Sequence, residues 1–319
     1  MLRCMVTPHS EASINSGFSP SSSPSSKRKF LHRLLSFVVL WGVVVGAVFS
    51  PWEILAQYLF LILTIGIGIV GLLEYYSLLE KRGVSCYKWF GIIAGIVLIV
   101  GTYLHCTGRL GIYQTPSRVN DFQAWLLVAI VLGLCVWAML WSNKGSVLIA
   151  TGTTLFGIIY VPWLVNFIQE INFFPTIGGT GKYYVFYFLV VTKLSDTGAY
   201  LVGTWVGRHK LAPRLSPNKT WEGLLGGVLS ALIGSLIFAN LAQGHLVGMT
   251  TTHALILGIL LGAGAAIGDL VESTFKREAG VKDSGHFFPG IGGVLDLMDS
   301  LLFNAPIMYL YLRHVLTSS

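Results

Sequence analysis

The residues best suited to chemistry lie near the C-terminal end of the chain, where carboxylates, basic side chains, hydroxyls and glycines are mixed. Asp296 and Asp299 are three residues apart, so both would lie on one face of a helix. Asp269 precedes them, and the pair Gly292-Gly293 lies beside them. Carboxylates suit a hard cation such as Mg²⁺, whereas basic side chains and exposed backbone N–H groups suit phosphate oxygens. The pattern predicts a site for a metal-bound nucleotide or diphosphate.

Each polar block of the C-terminal half also has a structural explanation. The acid pair could act only as first-turn acids of a helix. Lys219, in the block from Ser216 to Gly223, could bind phosphate as a point charge or only anchor the chain at the membrane surface. Lys193 and Asp196 are three residues apart in an apolar stretch and could neutralise each other. These alternatives stay open at the level of the sequence.

The composition places these residues in a membrane protein. Of 319 residues, 54% are hydrophobic and only 11% are charged, and the mean hydropathy is +0.70, whereas soluble proteins average about 25% charged residues. This excludes a water-soluble enzyme. Because a helix needs about 20 mostly apolar residues to cross a membrane, we predict an all-α, polytopic integral membrane protein with about nine transmembrane helices. The candidates lie near 32–50, 53–76, 87–106, 121–142, 145–168, 183–206, 222–243, 251–271 and 299–316.

The charge distribution predicts the orientation of these helices. With a cytoplasmic N-terminus, fifteen lysines and arginines fall on the cytoplasmic side and four on the other side, as the positive-inside rule expects. This split explains the net charge of +7 without nucleic acid binding. The sixth and eighth candidate helices also carry Lys193, Asp196, Asp269 and Glu272. Ionisable groups are costly in lipid and normally face a wet cavity or a partner, so these two helices are predicted to line a functional site.

The chain divides into three predicted regions. Residues 1–29 are polar and rich in serine and proline, which predicts a disordered tail, with a transit peptide as the less favoured alternative. Residues 30–180 are predicted to form a transmembrane scaffold. Residues 181–319, with the long cytoplasmic loops 207–221 and 272–298, are predicted to form the catalytic region.

The glycines of the eighth candidate helix are assigned a packing role, and the cysteines are assigned no role. Gly258, Gly262 and Gly264 lie in the eighth candidate helix and are predicted to permit close helix packing. The four cysteines are scattered without a CxxC pair or neighbouring histidines, so neither a disulfide framework nor a zinc site is predicted.

Three blocks in order resemble those of the phosphatidate cytidylyltransferases, also called CDP-diacylglycerol synthases. The stretch from Ser273 to Asp299 is similar to the family signature, which reads Ser-x-apolar-Lys-Arg, four residues, Lys-Asp, then Pro-Gly-His-Gly-Gly and Asp-Arg-x-Asp. The blocks 195–200 and 216–223 resemble the two other recurrent blocks of that family. The resemblance therefore covers residues 195–300, and the helix count suits the family's membrane fold.

Two positions depart from the family pattern. Ile291 stands where the pattern has His, and Leu297 stands where it has Arg. Both changes remove a group that could contact phosphate or carry a proton, which leaves substrate preference and rate open. His286 could replace the missing imidazole in part, although a loop histidine without function is the simpler explanation.

The resemblance implies the reaction, the metal and the residue roles. Members of the family join CTP to phosphatidic acid and release CDP-diacylglycerol and pyrophosphate, with Mg²⁺ as the cofactor. The implied Mg²⁺ ligands are Asp269, Asp296 and Asp299. The implied catalytic residues are Lys276, Asp283, Ser273 and Asp196. The implied substrate-binding residues are Lys219, Ser216, Arg277, Lys282, Gly292 and Gly293.

Two other functions remain as alternatives. One is a CTP-dependent lipid kinase of the polyprenol type. The other is a membrane transporter, because intramembrane lysine and aspartate can mark an ion path, although no inverted repeat is evident. For the enzyme, we expect a bacterial inner membrane with the active site on the cytoplasmic side. The expected partners are CTP, phosphatidic acid and the lipid bilayer, and a homodimer is left open together with acyl-chain preference and metal number.

Overall fold

The structure is a computed structural model. It describes residues 39, 41–111, 116–141, 146–174, 181–281, 283–285 and 292–316. The helices are α1 (41–49), α2 (Glu53–Lys81), α3 (Lys88–Cys106), α4 (Pro116–Leu140), α5 (Val147–Ile158), α6 (Leu164–Asn172), α7 (Gly181–Trp205), α8 (Trp221–Leu241), α9 (Thr251–Glu278) and α10 (Val294–Tyr311). Short π-helical segments continue α5 and α10, and two strands, β1 (Lys210–Ala212) and β2 (Ser216–Thr220), precede α8.

The helices confirm the predicted all-α, polytopic membrane class. Within the described part of the chain, seven helical segments are long and apolar enough to cross a membrane. The segment Val147–Asn172 combines α5, a π-helical turn that contains Pro162, and α6. The first candidate span, 32–50, falls partly outside the described residues, and the last lies in α10 and the π-helical segment after it. The total of nine spans and the cytoplasmic N-terminus therefore stay predictions.

Helices α8 and α9 approach each other closely because glycines face the partner helix. A Cβ atom on Gly258 would lie 2.7 Å from Leu232 Cα, and one on Gly262 would lie 2.9 Å from Val228 Cα. A Cβ atom on Gly264 would lie 2.2 Å from Asn304 Oδ1 of α10. The prediction that these glycines permit close packing is confirmed, because they let α9 approach both α8 and α10.

A small antiparallel hairpin occupies the loop that the sequence left without regular structure. Its strands pair Lys210 with Thr220 and Ala212 with Ser216. Thr220 then caps α8, because its Oγ1 accepts a hydrogen bond from Gly223 N at 3.1 Å. The hairpin is the only sheet among the described residues, and it fixes the residues just before α8.

The chain direction brings the polar ends of several helices to one end of the bundle. Helices α2, α7 and α9 end there, and α3, α8 and α10 begin there, because these pairs are antiparallel neighbours joined at this end. The Arg82 guanidinium donates a hydrogen bond to the Glu278 carbonyl, which ties the ends of α2 and α9 together. This end of the bundle carries the residues that the sequence selects for chemistry.

Candidate active site

Asp296 organises the start of helix α10. Its Oδ2 accepts hydrogen bonds from Gly293 N at 2.8 Å and from Ser284 N at 3.1 Å. Its Oδ1 accepts a hydrogen bond from Lys276 Nζ at 2.8 Å. The first-turn role that the sequence allowed for this acid is therefore present. Its role as a metal ligand stays a prediction, because a metal ion would have to displace one of these donors.

The charge of Asp296 is stabilised where it stands, ahead of the apolar stretch 299–316. Burial would raise the pKa of this carboxyl, but hydrogen bonds from Lys276 and from the Gly293 amide outweigh burial and lower the pKa below its usual value. The side chain is therefore a carboxylate at neutral pH. The start of α10 keeps its capping acceptor over the whole physiological range.

The glycine pair shapes the backbone that Asp296 caps. Gly292 has a φ of +123°, a conformation that side chains with a Cβ atom rarely adopt. A Cβ atom on Gly293 would lie 2.4 Å from Ser284 Oγ. The two glycines therefore let the loop pass closely against Ser284, and the buried Gly293 amide points to Asp296. Their predicted contact with substrate phosphate is not tested by this packing.

Lys276 bridges two carboxylates. Its Nζ lies 2.9 Å from Glu272 Oε2 and 2.8 Å from Asp296 Oδ1. The Glu272 side chain has 0% exposure, and its Oε1 has no hydrogen-bond partner among the described residues. Two acids share one ammonium group in a nearly buried position, so the arrangement depends on Lys276.

Glu74 reaches the same place from α2, in the region predicted to be scaffold. Its Oε1 accepts a hydrogen bond from Val294 N at 3.0 Å, and its Oε2 accepts hydrogen bonds from Leu295 N at 2.8 Å and Ser284 Oγ at 3.2 Å. A Cβ atom on Gly285 would lie 2.3 Å from Glu74 Oε1. One buried carboxylate from the N-terminal half therefore holds the first free amides of α10.

We expect Glu74→Gln to lower activity by about tenfold to a hundredfold. The glutamine amide keeps one oxygen as an acceptor, but its NH₂ group is a donor and would face a backbone N–H that is also a donor. Hydrogen bonds to charged groups contribute about 1.5–3 kcal/mol each, and about 1.4 kcal/mol corresponds to a factor of ten in rate. Turnover and thermal stability of the purified protein measure the effect. Glu80→Gln is the matched control, since Glu80 lies on the same helix, is 53% exposed and pairs only with Lys88 among the described residues. Equal activity of both variants would contradict the assignment.

A second group of charges lies where α7, α9 and α10 meet. Asp196 Oδ2 accepts hydrogen bonds from Lys193 Nζ at 3.0 Å and from Ser300 Oγ at 2.9 Å. Asp299 is 8% exposed and interacts electrostatically with Lys193, Asp196 and Asp269. As predicted, the charged residues of α7 and α9 face one another and the start of α10 instead of lipid.

Lys219 joins this group from the hairpin. Its Nζ forms an ion pair with Asp269 Oδ2 at 2.8 Å, and the two side chains are 20% and 42% exposed. Lys219 stands directly before Thr220 and the N-terminus of α8. The Nζ atom itself is buried, and Asp269 is the carboxylate beside it. A cation beside a helix N-terminus suits phosphate oxygens.

The other selected residues lie around this site with different roles. Arg277 Nε donates a hydrogen bond to the Leu215 carbonyl at 3.0 Å, which fastens α9 to the hairpin. Ser273 is buried in α9, Ser216 begins β2 and Asp283 is exposed in the loop before α10. Lys282, His286 and Ile291 lie outside the described residues.

The sequence does not single out Glu74, nor the ion pair of Glu272 with Lys276. Glu74 lies in a predicted span, so the cost of an acid in lipid is a signal that could select it. The possible pairing of Lys193 with Asp196 is present at 3.0 Å, but the contacts of Lys193 with α10 are not evident from the sequence. Nothing in the one-dimensional pattern pairs Glu74 with amides more than 200 residues away along the chain.

Comparisons with known proteins identify the family of the chain. A family model described as the cytidylyltransferase family matches residues 32–315. A phosphatidate cytidylyltransferase of Bacillus subtilis is 34% identical over 280 residues, which cover 86% of this chain and 96% of the relative. A phosphatidate cytidylyltransferase of Haemophilus influenzae is 29% identical over 289 residues, which cover 88% of this chain and 97% of the relative.

A third relative is also similar over most of the length of both chains. The phosphatidate cytidylyltransferase of Staphylococcus saprophyticus is 34% identical over 244 residues, which cover 76% of this chain and 88% of the relative. The similarity therefore extends beyond the three C-terminal blocks and includes most of the N-terminal helices. Glu74 falls within the matched residues 32–315.

Proposed function

The chain belongs to the cytidylyltransferase family, and we propose that it makes CDP-diacylglycerol and pyrophosphate from CTP and phosphatidic acid. The observation that carries this assignment is the similarity to phosphatidate cytidylyltransferases over nearly their whole length, 96% in the case of the Bacillus subtilis relative. The helical membrane fold and the polar site at one end of the bundle support it. The alternatives of a lipid kinase and a transporter gain no support from these relatives.

The reaction requires two anions to meet. An oxygen of the phosphatidate phosphate attacks the α-phosphorus of CTP, a new P–O bond forms, and the bond from the α-phosphorus to the bridging oxygen breaks as pyrophosphate leaves. A phosphate oxygen is already ionised near pH 7, so no general base is needed. The work of the protein is positioning and charge neutralisation. Lysines beside carboxylates at a partly open site are suited to that work.

Of the three predicted Mg²⁺ ligands, we propose Asp269 and Asp299 as the pair that holds the ion. They interact electrostatically, and each has one donor beside it, Lys219 Nζ at Asp269 and Ser300 N at Asp299, whereas Asp296 accepts three hydrogen bonds. No group of three or more His, Cys, Asp or Glu side chains among the described residues is arranged to hold a metal. Mg²⁺ usually takes only one or two carboxylates together with substrate phosphates, so the pair is sufficient. Bound there, Mg²⁺ would neutralise charge on the phosphates.

The basic residues have distinct proposed roles. Lys219, beside Asp269 and the start of α8, binds a phosphate oxygen of CTP. Arg277, which is exposed while its Nε holds the hairpin, presents its remaining N–H groups to phosphate. Lys276 keeps Glu272 and Asp296 in place and so positions the start of α10. Lys282 stays a proposed phosphate ligand.

The proposed location is a bacterial inner membrane with the site on the cytoplasmic side. The relatives compared above are bacterial proteins. The loops at the site end carry the lysines and arginines that the positive-inside rule assigns to the cytoplasm. In that orientation CTP reaches the site from the cytosol, and the acyl chains of phosphatidate remain in the bilayer.

A direct assay tests the function. The purified protein is incubated with radiolabelled CTP and either phosphatidate or a polyprenol, with Mg²⁺ or with a chelator. We expect labelled CDP-diacylglycerol with phosphatidate only, and a loss of product when the chelator is present. Phosphorylated polyprenol would replace this assignment by the kinase, and the absence of any lipid product would refute both enzymes.

A further inference from the structure

Lys193 is coordinated like a bound cation. Its Nζ donates hydrogen bonds to Asp196 Oδ2 at 3.0 Å, to the Leu297 carbonyl at 2.9 Å and to Ser300 Oγ at 3.3 Å. These are a carboxylate, a carbonyl and a hydroxyl oxygen, which are the oxygen types that hard cations take in proteins. Two of the three come from α10 and one from α7. The ammonium group therefore joins the two helices that carry Asp196 and Asp299.

The position of Lys193 is unusual for a lysine that only anchors a helix. It lies twelve residues from either end of α7, about 18 Å along a helix that rises about 1.5 Å per residue. A charge at that depth is costly in lipid, and the side chain is only 29% exposed. The lysine faces Asp196, Asp269 and Asp299, with which it interacts electrostatically.

Lys193 is needed to balance the negative charges of the neighbouring aspartates. Asp299 interacts electrostatically with both Asp196 and Asp269, and the cations beside these acids among the described residues are Lys193 and Lys219. Lys219 pairs with Asp269 at 2.8 Å, whereas Lys193 pairs with Asp196 at 3.0 Å. Without Lys193, Asp196 would have no cation within ion-pair distance among the described residues. It would then be open to a second metal ion.

We propose that Lys193 is a positioning residue that serves as a permanent cation of the site. It neutralises Asp196 and ties that carboxylate to the start of α10. A single divalent ion then suffices at Asp269 and Asp299, and no further monovalent cation is required. This proposal rests on the proposed function only for its activity readout, because the metal count can be measured without substrate.

Removal of the ammonium group should open a cation site that small cations can refill. With choline as the only monovalent cation, we expect the activity of Lys193→Met to be at least tenfold below that of the wild type. Replacing choline chloride by ammonium chloride should raise the activity of the variant at least threefold. Wild-type activity should be the same in choline and in ammonium chloride. Lys182→Met is the matched control, because Lys182 lies at the N-terminal end of the same helix, away from the site, and should leave both values unchanged.

The number of bound metal ions per chain is a second measurement, which should not change if Lys193 has only a structural role. Electron paramagnetic resonance of Mn²⁺ without substrate should give one bound ion per wild-type chain. It should give more than one in Lys193→Met in choline, and one again in ammonium chloride. Lys193→Gln, which retains N–H donors, carries the same test if the methionine variant does not fold.

The outcomes separate this proposal from the proposed function. The role of Lys193 would be overturned if Lys193→Met bound one Mn²⁺ per chain in both choline and ammonium chloride. It would also be overturned if the wild-type activity needed a small monovalent cation. Wild-type protein that makes no CDP-diacylglycerol would overturn the reaction instead, and the Mn²⁺ count would still decide the role of Lys193.

Discussion

Asp299→Asn is expected to reduce Mg²⁺-dependent formation of CDP-diacylglycerol by about 10²- to 10³-fold, the usual cost of removing one preorganised group that stabilises the transition state. Asp299 is 8% exposed and interacts with Asp269 and Lys193. The amide keeps the size of the side chain but loses the charge that a divalent ion requires. Steady-state turnover at increasing Mg²⁺ concentrations measures the effect, and we expect the half-saturating concentration to rise as well.

The controls for this variant separate chemistry from folding. Asp121→Asn makes the same change at an exposed position of α4 and should leave turnover unchanged. Thermal stability of Asp299→Asn in detergent should stay at or above that of the wild type, because burial of a carboxylate among other acids is unfavourable. Full activity of Asp299→Asn would remove this residue from the proposed Mg²⁺ ligands.

Asp296→Asn distinguishes the two roles of the acid pair. Asp296 accepts hydrogen bonds from Gly293 N, Ser284 N and Lys276 Nζ. Its substitution should therefore lower thermal stability together with activity, whereas Asp299→Asn should lower activity alone. Loss of activity at unchanged stability would return Asp296 to the predicted ligand set.

Lys276→Met is expected to have the largest effect on stability. It leaves Glu272 and Asp296 without the ammonium group that lies 2.9 Å and 2.8 Å from their oxygens. Breaking a buried ion pair by removal of one partner typically costs about 3–5 kcal/mol. We expect a large drop in the temperature of thermal unfolding and no measurable turnover. Lys81→Met, at the exposed end of α2, is the matched control and should behave as the wild type.

A double variant tests the reason for that instability. Glu272→Gln combined with Lys276→Met removes one buried negative charge together with the cation, so it should recover part of the lost thermal stability. If the loss of unfolding free energy in the double variant equals the sum of the losses in the two single variants, Glu272 and Lys276 do not interact. That result would contradict the ion pair at 2.9 Å.

The chemistry of the site follows from the sequence in outline. The acids and lysines of the sixth and eighth candidate helices were expected to face a cavity, and α7 and α9 bring Asp196, Lys193 and Asp269 to the start of α10. The cost of a charge in lipid is a property of the residue type, so it can be applied without coordinates. The spacing of Lys193 and Asp196 already suggests their pairing, whereas the pairs between distant residues, Lys219 with Asp269 and Lys276 with Asp296, depend on helix rotation and depth, which the pattern does not contain.

The division of the chain shows the same limit. The prediction that residues 30–180 act as scaffold follows from their apolar composition. The structure adds that Glu74, within that region, accepts hydrogen bonds from the first amides of α10. Hydrophobic periodicity locates a helix in the membrane but does not identify which distant backbone group an acid will reach.

Apolar length and residue type act locally along the chain, so the amino-acid sequence is enough to identify a helical membrane protein and to predict three polar blocks as the carriers of its chemistry. The packed helices add that Asp296 caps α10, that Glu74 accepts hydrogen bonds from its first amides and that Lys193 contacts α10 beside Asp196. The physical reason is that hydrogen bonds and ion pairs act within about 3–4 Å. Residues far apart in the chain reach such distances only when the helices have packed.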